Sequence, residues 1–374
     1  MRPIVLMLCL FAILASVSPV AAKMTYTGDQ TLWQDTTWEG EIVVDGVLTV
    51  APGVTLSISP GTLVRFTFRD TNDDGVGENE IFIQGILKAI GSVEAPIRFT
   101  AADELRPGAW GAINMMMSEE ENVLAYSIVE YGYRGYHAHF ASAVIRNSVF
   151  RHNLRGLQFQ ESTVSLKNSR IVDNRNGIQF RNSKVSLNDV DISGSYWGLR
   201  GVYNELTMKN SRIEGNLING VNLRDSILNI TASHITDNRK GLYLQRSKVT
   251  LEDSLLKNNS EHGLYLEDSE GVILGNRISS NGRAGIRILG FTGGIKGNSL
   301  AGNGEYALQN DGLADIDASG NWWGTVDMED ISTLIRDSRD RPETGAVNVI
   351  APLDREPFFL PIITDRMSGQ CLSH

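Results

Sequence analysis

The sequence predicts an all-β fold built as a solenoid of 21–22-residue coils, and three observations carry that prediction. Glycines recur at Gly135, Gly156, Gly177, Gly198, Gly220, Gly241, Gly263 and Gly285, always 21 or 22 residues apart. Other series keep step with them. One is apolar, running from Val129 through Phe150, Ile171, Ile192, Ile213, Ile235, Leu256 and Ile278 to Leu300. Another is Asn153, Asn174, Asn216, Asn238, Asn259, Asn281 and Asn303, with Ser195 in its gap, and a third is Ser162, Ser183, Ser226, Ser247 and Ser269, interrupted by Asn204. Finally, apolar residues inside each unit alternate with period two, as in Ile178/Phe180 and Val185/Leu187, which is strand spacing and not helix spacing.

Three short strands per unit, separated by Asn, Gly and Ser turns, describe one triangular coil. Coils stacked at the ordinary strand spacing, roughly 4.8 Å, turn each series into an internal ladder, since no coil can bury its apolar face alone. A leucine-rich repeat has a similar period, but it needs a convex and often helical segment after its Asn. Here "GIQFRNSKVSL" supplies two more alternating pairs instead.

The elements follow in order. Residues 1–22 have the make-up of a secretory signal peptide: Arg2 in a basic start, the apolar run "IVLMLCLFAILASV", and a small-residue site ending at Ala22. The run is too short for a convincing membrane span, and no other apolar stretch is long enough, so export to a periplasm or to the outside is expected. Cys9 leaves with the leader and only Cys371 remains, which excludes an internal disulfide. Residues 23–100, with "GVLTVAPGVTLSISPGTLVRF" at 46–66, form an N-terminal cap merging into the first coils, which protects an open sheet end. The repeats fill 101–325, and a position 22 residues beyond Leu300 places Trp322 on the next rung as a closing plug. Residues 326–374 form the other end: a capping helix in "VDMEDISTLIRDS" with Met328, Ile331 and Ile335 on one face, a returning strand in "AVNVIAPL", and a loose tail.

The units "NSxIxxNxxGLxFxxSxVxL", with "PGAWGAI" at 107–113 and "GNWWGT" at 320–325, resemble the right-handed parallel β-helix repeats of the carbohydrate-binding and sugar-hydrolase superfamily, the pectate-lyase-like fold. That resemblance spans about residues 40–350 and implies a right-handed, single-stranded parallel β-helix with terminal caps. It implies little about activity, because the architecture hosts lyases, hydrolases, epimerases, adhesins and non-enzymes alike.

The formal charge of −10 argues against nucleic acid as a partner, since phosphate binding needs concentrated Lys and Arg. A polysaccharide or envelope glycan is the expected partner, and the sequence identifies no protein partner. The strand after each repeated glycine turns His137, Gln158, Gln179, Arg200, Asn222, Tyr243, Tyr265 and Arg287 outward, beside a second series that includes His139, Gln160, Arg181, Arg224, Gln245 and Glu267. Planar hydrogen-bonding groups and aromatics in such strips suit sugar rings, and proteins that resemble this one commonly lay polysaccharide along this face. For hydrolysis two carboxylates must flank a bond, roughly 5–10 Å apart. The best cluster is Asp225, Arg246 and Asp268 on successive coils with Glu267 beside it, while Arg224 and Arg246 suit a lyase or epimerase that must neutralise a uronate. A solvated acid–base–acid ladder explains the same pattern and is preferred. The pectin hydrolase signatures "NTD", "DD" and "GHG" and the epimerase "DPHD" do not occur in that form at this cluster.

Two segments carry candidate metal ligands. In "DTNDDGVGENE" at 70–80, Asp70, Asn72, Asp74 and Glu78 match a calcium loop in their alternation, although an EF-hand's closing Glu falls on Ile81, with Glu80 one place early. His137 and His139 share a strand face and form a two-nitrogen platform without an identifiable third ligand; Met115–Met117 one coil earlier prompts copper. No cofactor is firmly implied, with calcium the one candidate of note. The preferred function is a non-catalytic exported glycan binder. The alternatives are a polysaccharide lyase, glycoside hydrolase or epimerase, and a structural or metal-handling periplasmic protein.

Overall fold

The computed structural model describes residues 23–359. The expected signal peptide and the expected loose end of the chain, with Cys9 and Cys371, fall on or reach into residues outside the described ones. The chain winds as a parallel β-solenoid of about 13 turns. Every strand of the main sheet system pairs parallel with the strand one coil away; Asn176–Arg181, for example, lies between Arg155–Gln160 and Trp197–Val202. We call the sheet containing these strands the first sheet. Lys184–Ser193 contributes to the second and third, pairing at one end with Glu205–Lys209 and at the other with Arg212–Glu214.

The predicted ladders form. Leu157, Ile178, Leu199, Val221, Leu242, Leu264 and Ile286 stack as one buried column, and Phe150 to Leu300 stack as another. The asparagines do more than turn the chain. Asn174 donates from Nδ2 to the Phe150 and Val172 carbonyls at 2.9 and 3.0 Å, and its Oδ1 accepts from the Asn153 backbone N–H and Nδ2, both at 3.0 Å. All four bonds are buried or nearly so, and losing them leaves main-chain groups unpaired inside the rod. The serines do likewise: the Ser162 N–H donates to Ser183 Oγ at 3.2 Å, and Ser162 Oγ donates to the Gln160 carbonyl. The repeated glycines are required by close approach, because a Cβ on Gly177 would stand 2.4 Å from the Gly198 carbonyl oxygen.

The coils begin at once: Lys23–Thr27 pairs with Glu41–Asp45, Glu41 onward with Leu63–Phe66, and Val47–Val50 with Glu80–Ile83 across the loop that holds the acidic motif. Two expectations at the other end are corrected. The last step is 23 residues, from Asn298 to Asn321, and Ser299 bridges Trp322, so the rung belongs to Trp323, which is buried, while Trp322 is half-buried. The extra residue moves the register by one and exchanges which Trp faces inward. The helix covers Met328–Thr333 only, with Asp327 as N-cap accepting from the Glu329 and Asp330 N–H groups. Ile335 is not on its face but pairs with Leu308 as the last strand of the first sheet. Val347–Asn348 returns as a strand beside Ile316–Asp317. Among the described residues no helix is long and apolar enough to cross a membrane.

Candidate functional site

The first sheet's outer face holds the site. Parallel pairing aligns Asn114, His137, Gln158, Gln179, Arg200, Asn222, Tyr243, Tyr265, Arg287, Gln309 and Arg336 in one column. His139, Gln160, Arg181, Val202, Arg224, Gln245 and Glu267 form the next. Every residue expected to bind glycan therefore sits where the repeat arithmetic placed it. Exposure differs: His137 and Gln158 are buried. Past a β-bulge in Gly132–His139, the His137 ring lies between Asn114 Oδ1 (Nδ1 at 2.8 Å) and Gln160 Oε1 (Nε2 at 3.4 Å), and Arg155 Nη1 donates to Gln158 Oε1 at 2.6 Å. Burial, then Arg134, lowers the His137 pKa to about 4, so it is neutral at pH 7.

Between Gln158 and Gln245 the face sinks into an open groove of about 520 Å³. Gly201 lies in its floor, between the inward-facing Phe180 and Leu223. A Cβ there would meet the Phe180 carbonyl oxygen at 2.4 Å and Asn204 Nδ2 at 2.5 Å, so this rung can carry no side chain. The groove lining includes Arg181, Arg200 and Arg224 and no carboxylate. Arg200 lies over Trp197 at 5.5 Å.

Further along, the face changes character. Tyr243 and Tyr265 stack at 4.9 Å, and Arg287 lies over Tyr265 at 4.7 Å. Glu267 accepts from Tyr243 Oη at 2.7 Å and from Gln245 Nε2 at 3.0 Å. Burial, then the Glu267 contact, raises the Tyr243 pKa, so the phenol keeps its proton. Arg287 Nε donates to Asp311 Oδ2 at 2.8 Å, and Arg341 approaches Asp311 from the other side at 3.6 Å. Burial opposes ionisation of Asp311, but bonds from Gln309 and Arg287 hold its pKa below the ordinary value. His262 meets Tyr265 edge-on at 5.8 Å; its Nδ1 accepts from the Ala284 N–H, and its Nε2 is buried without a partner. Burial, then Arg287, lowers its pKa to about 4.

The cluster expected for catalysis divides. Glu267 faces the strip, whereas Asp225, Arg246 and Asp268 occupy the left-handed turn beside it, with φ of 51°, 44° and 47°, in the ladder that Glu161, Asn182 and Tyr203 also follow. Arg246 holds Asp225 through two bonds of 2.8 and 3.0 Å, and Arg224 stands 3.3 Å from the same carboxylate. The Arg246 bond keeps the Asp225 pKa low. The oxygens of the acidic loop are occupied locally. Asp70 accepts from the Asn72 and Gly75 N–H groups, Asn72 and Asp74 accept from the N–H two residues on, and Glu78 accepts from Thr71. His139 stacks on Phe140 at 4.5 Å, with Nε2 3.3 Å from Glu161, and its ring lies 6.2 Å from that of His137. Among the described residues no three His, Cys, Asp or Glu side chains converge as metal ligands.

Sequence reasoning missed the residues just before the repeated glycines. Arg134, Arg155, Asn176 and Trp197 pair across coils into a third column edging the groove, and Tyr133 is held between the Arg134 and Arg155 guanidiniums at 4.7 and 5.0 Å. The signal was present as "YRG", "LRG" and "YWG", cations and aromatics at a fixed offset from a structural glycine.

These features define a parallel β-helix protein with one long, functionalised outer face. The chain belongs to the family described as the right handed beta helix region, which it matches over residues 112–247 and 155–304. No curated protein sequence matches it. Among solved structures, it is similar to a double mutant of the periplasmic alginate epimerase AlgG at 14% identity, over 84% of this chain and 76% of that one, with a TM-score of 0.51. It is also similar to the A-module of the Azotobacter vinelandii mannuronan C-5 epimerase AlgE6, at 14% identity over 89% and 92% of the two chains, with a TM-score of 0.30. At such identities the likeness concerns the fold.

Proposed function

We propose that the protein binds a polysaccharide laid lengthwise along the outer face of the first sheet, without cleaving it. The observation that carries this reading is the unbroken register of planar hydrogen-bonding and aromatic side chains from Asn114 to Arg336. A linear repeating ligand is the natural complement of a linear repeating surface. Amides and guanidiniums bond ring hydroxyls, and the stacked Tyr243–Tyr265 pair offers an apolar ring face. The absence of turnover is supported by the satisfied state of three acids on and beside the face: Asp225 is locked to Arg246, Glu267 to Tyr243, and Asp311 to Arg287. The signal-peptide make-up of residues 1–22 supports a place outside the cytoplasm.

The test is a polysaccharide panel assayed for binding and for cleavage. Binding that is lost in the Tyr243→Ala/Tyr265→Ala double variant supports the reading, and no retained polysaccharide contradicts it. Release of reducing ends or unsaturated uronates, abolished by Glu267→Gln, moves the assignment to an enzyme.

A further inference from the structure

The face does not carry its charge evenly, and the imbalance indicates the class of ligand. Arg200 and Arg181 line the groove, and Arg134, Arg155 and Arg175 gather beside it, with Arg134, Arg175 and Arg200 all within electrostatic reach of Arg155. Among the described residues none of these five has a carboxylate within ion-pairing distance. Elsewhere on the same face Arg287 has Asp311 and Lys240 has Glu261. Glu80 is bonded to Asn114 and within electrostatic reach of Arg134. Burial, then the surrounding Arg134, Arg200 and Arg175 charges, lowers the Arg155 pKa against an opposing contribution from Tyr133, so these cations repel one another. Arg134 Nε is buried without a partner. Such crowding in a chain of net charge −10 is not a by-product of general basicity.

We infer that the ligand is an anionic polysaccharide whose acidic groups are received by Arg134, Arg155, Arg175, Arg181 and Arg200, an assignment that rests on the glycan-binding reading above. Two features suit the site to anions. Tyr133 clamped between Arg134 and Arg155 fixes both guanidiniums, which reduces the ordering cost of binding. Arginine's planar fork also matches carboxylate and sulfate ester alike, and a cation left unneutralised by the protein presents its whole field to the ligand.

The experiment measures binding of polygalacturonate, dextran sulfate, unmodified dextran and duplex DNA to the full chain, at low and at physiological salt. At least one acidic glycan is expected to bind about tenfold or more tightly than dextran, a difference on the scale of one charge-assisted contact, and to weaken as salt rises. Preference between polygalacturonate and dextran sulfate separates a carboxylate from a sulfate ligand. Arg181→Gln/Arg200→Gln is expected to weaken that binding about tenfold or more with an unchanged Tm, whereas Arg212→Gln, on the third sheet, leaves it unaltered. Dextran bound as tightly as both acidic polymers overturns the charge assignment while leaving the glycan reading intact, and no glycan bound at all overturns both. Tighter binding of duplex DNA than of every glycan overturns the assignment in favour of nucleic acid.

Discussion

Two stretches of one sheet face share a backbone and differ in how their charge is balanced. From Arg134 to Arg200 the arginines of this face, Arg134, Arg155, Arg175, Arg181 and Arg200, are left without protein carboxylates, beside a groove floored at Gly201. From Tyr243 to Gln309 the same columns hold Tyr, Glu and Arg, but there Glu267 is bonded to Tyr243 and Asp311 neutralises Arg287. The scaffold beneath is alike in both, with Asn174 and Asn259 making the same kind of buried bonds to adjacent coils. The difference therefore lies wholly in residues that do not repeat. It separates a stretch open to a ligand's charge from one already closed on itself and offering mainly ring faces.

The largest effect tests whether the scaffold is indeed shared. Asn174→Ala, under the cationic stretch, and Asn259→Ala, under the neutralised one, each strip several buried bonds, and both are expected to cost about 3 kcal/mol in urea unfolding. A large inequality between them breaks the premise that only the outer faces differ.

A second comparison uses pH, because each stretch buries one neutral imidazole, His137 and His262, both with pKa values of about 4. The unfolded chain takes up these protons near pH 6.5 and the folded chain only near pH 4. Stability is thus fully present above the higher value and falls as pH drops through the window between them. His137→Gln and His262→Gln should each flatten that slope, by up to one proton apiece, in melts recorded across the window. An unchanged slope in either variant means that its imidazole titrates normally.

The smallest effect sharpens the contrast directly. Asp311→Asn leaves Arg287 and Arg341 without their carboxylate, so the neutralised stretch comes to resemble the cationic one. Stability at pH 7 should fall by on the order of 1 kcal/mol. Because the Asp311 pKa is depressed, the wild-type advantage is present above the ordinary Asp range and fades as pH falls through the depressed value. The variant should also hold acidic polysaccharide more tightly than wild type does, as an affinity titration would show.

Much of this architecture is legible in the sequence because stacking imposes it. A coil that meets its neighbour at every position must repeat its Gly, Asn, Ser and apolar residues in kind, and the outward columns then follow by counting from Gly156 or Gly177. Counting fails where a coil changes length. The extra residue between Asn298 and Asn321 exchanges Trp322 for Trp323, and the long steps before Gly132 hide the early coils. What could not be counted is which outward groups satisfy one another. Arg287 and Asp311, or Tyr243 and Glu267, are 24 residues apart and meet only when side-chain reach is added to register. Arg134, Arg155 and Arg200 likewise become a cluster only once the coils are stacked.

Residue-level protection mapping by hydroxyl-radical footprinting, with a retained polysaccharide bound, tests the central claim most directly. Protection of Gln179, Arg181, Arg200, Asn222 and Arg224, extending to Tyr243 and Tyr265, with the outward residues of the second and third sheets unprotected, is the predicted result. Protection confined to those other sheets, or to the turn at Asp225, Arg246 and Asp268, would contradict it.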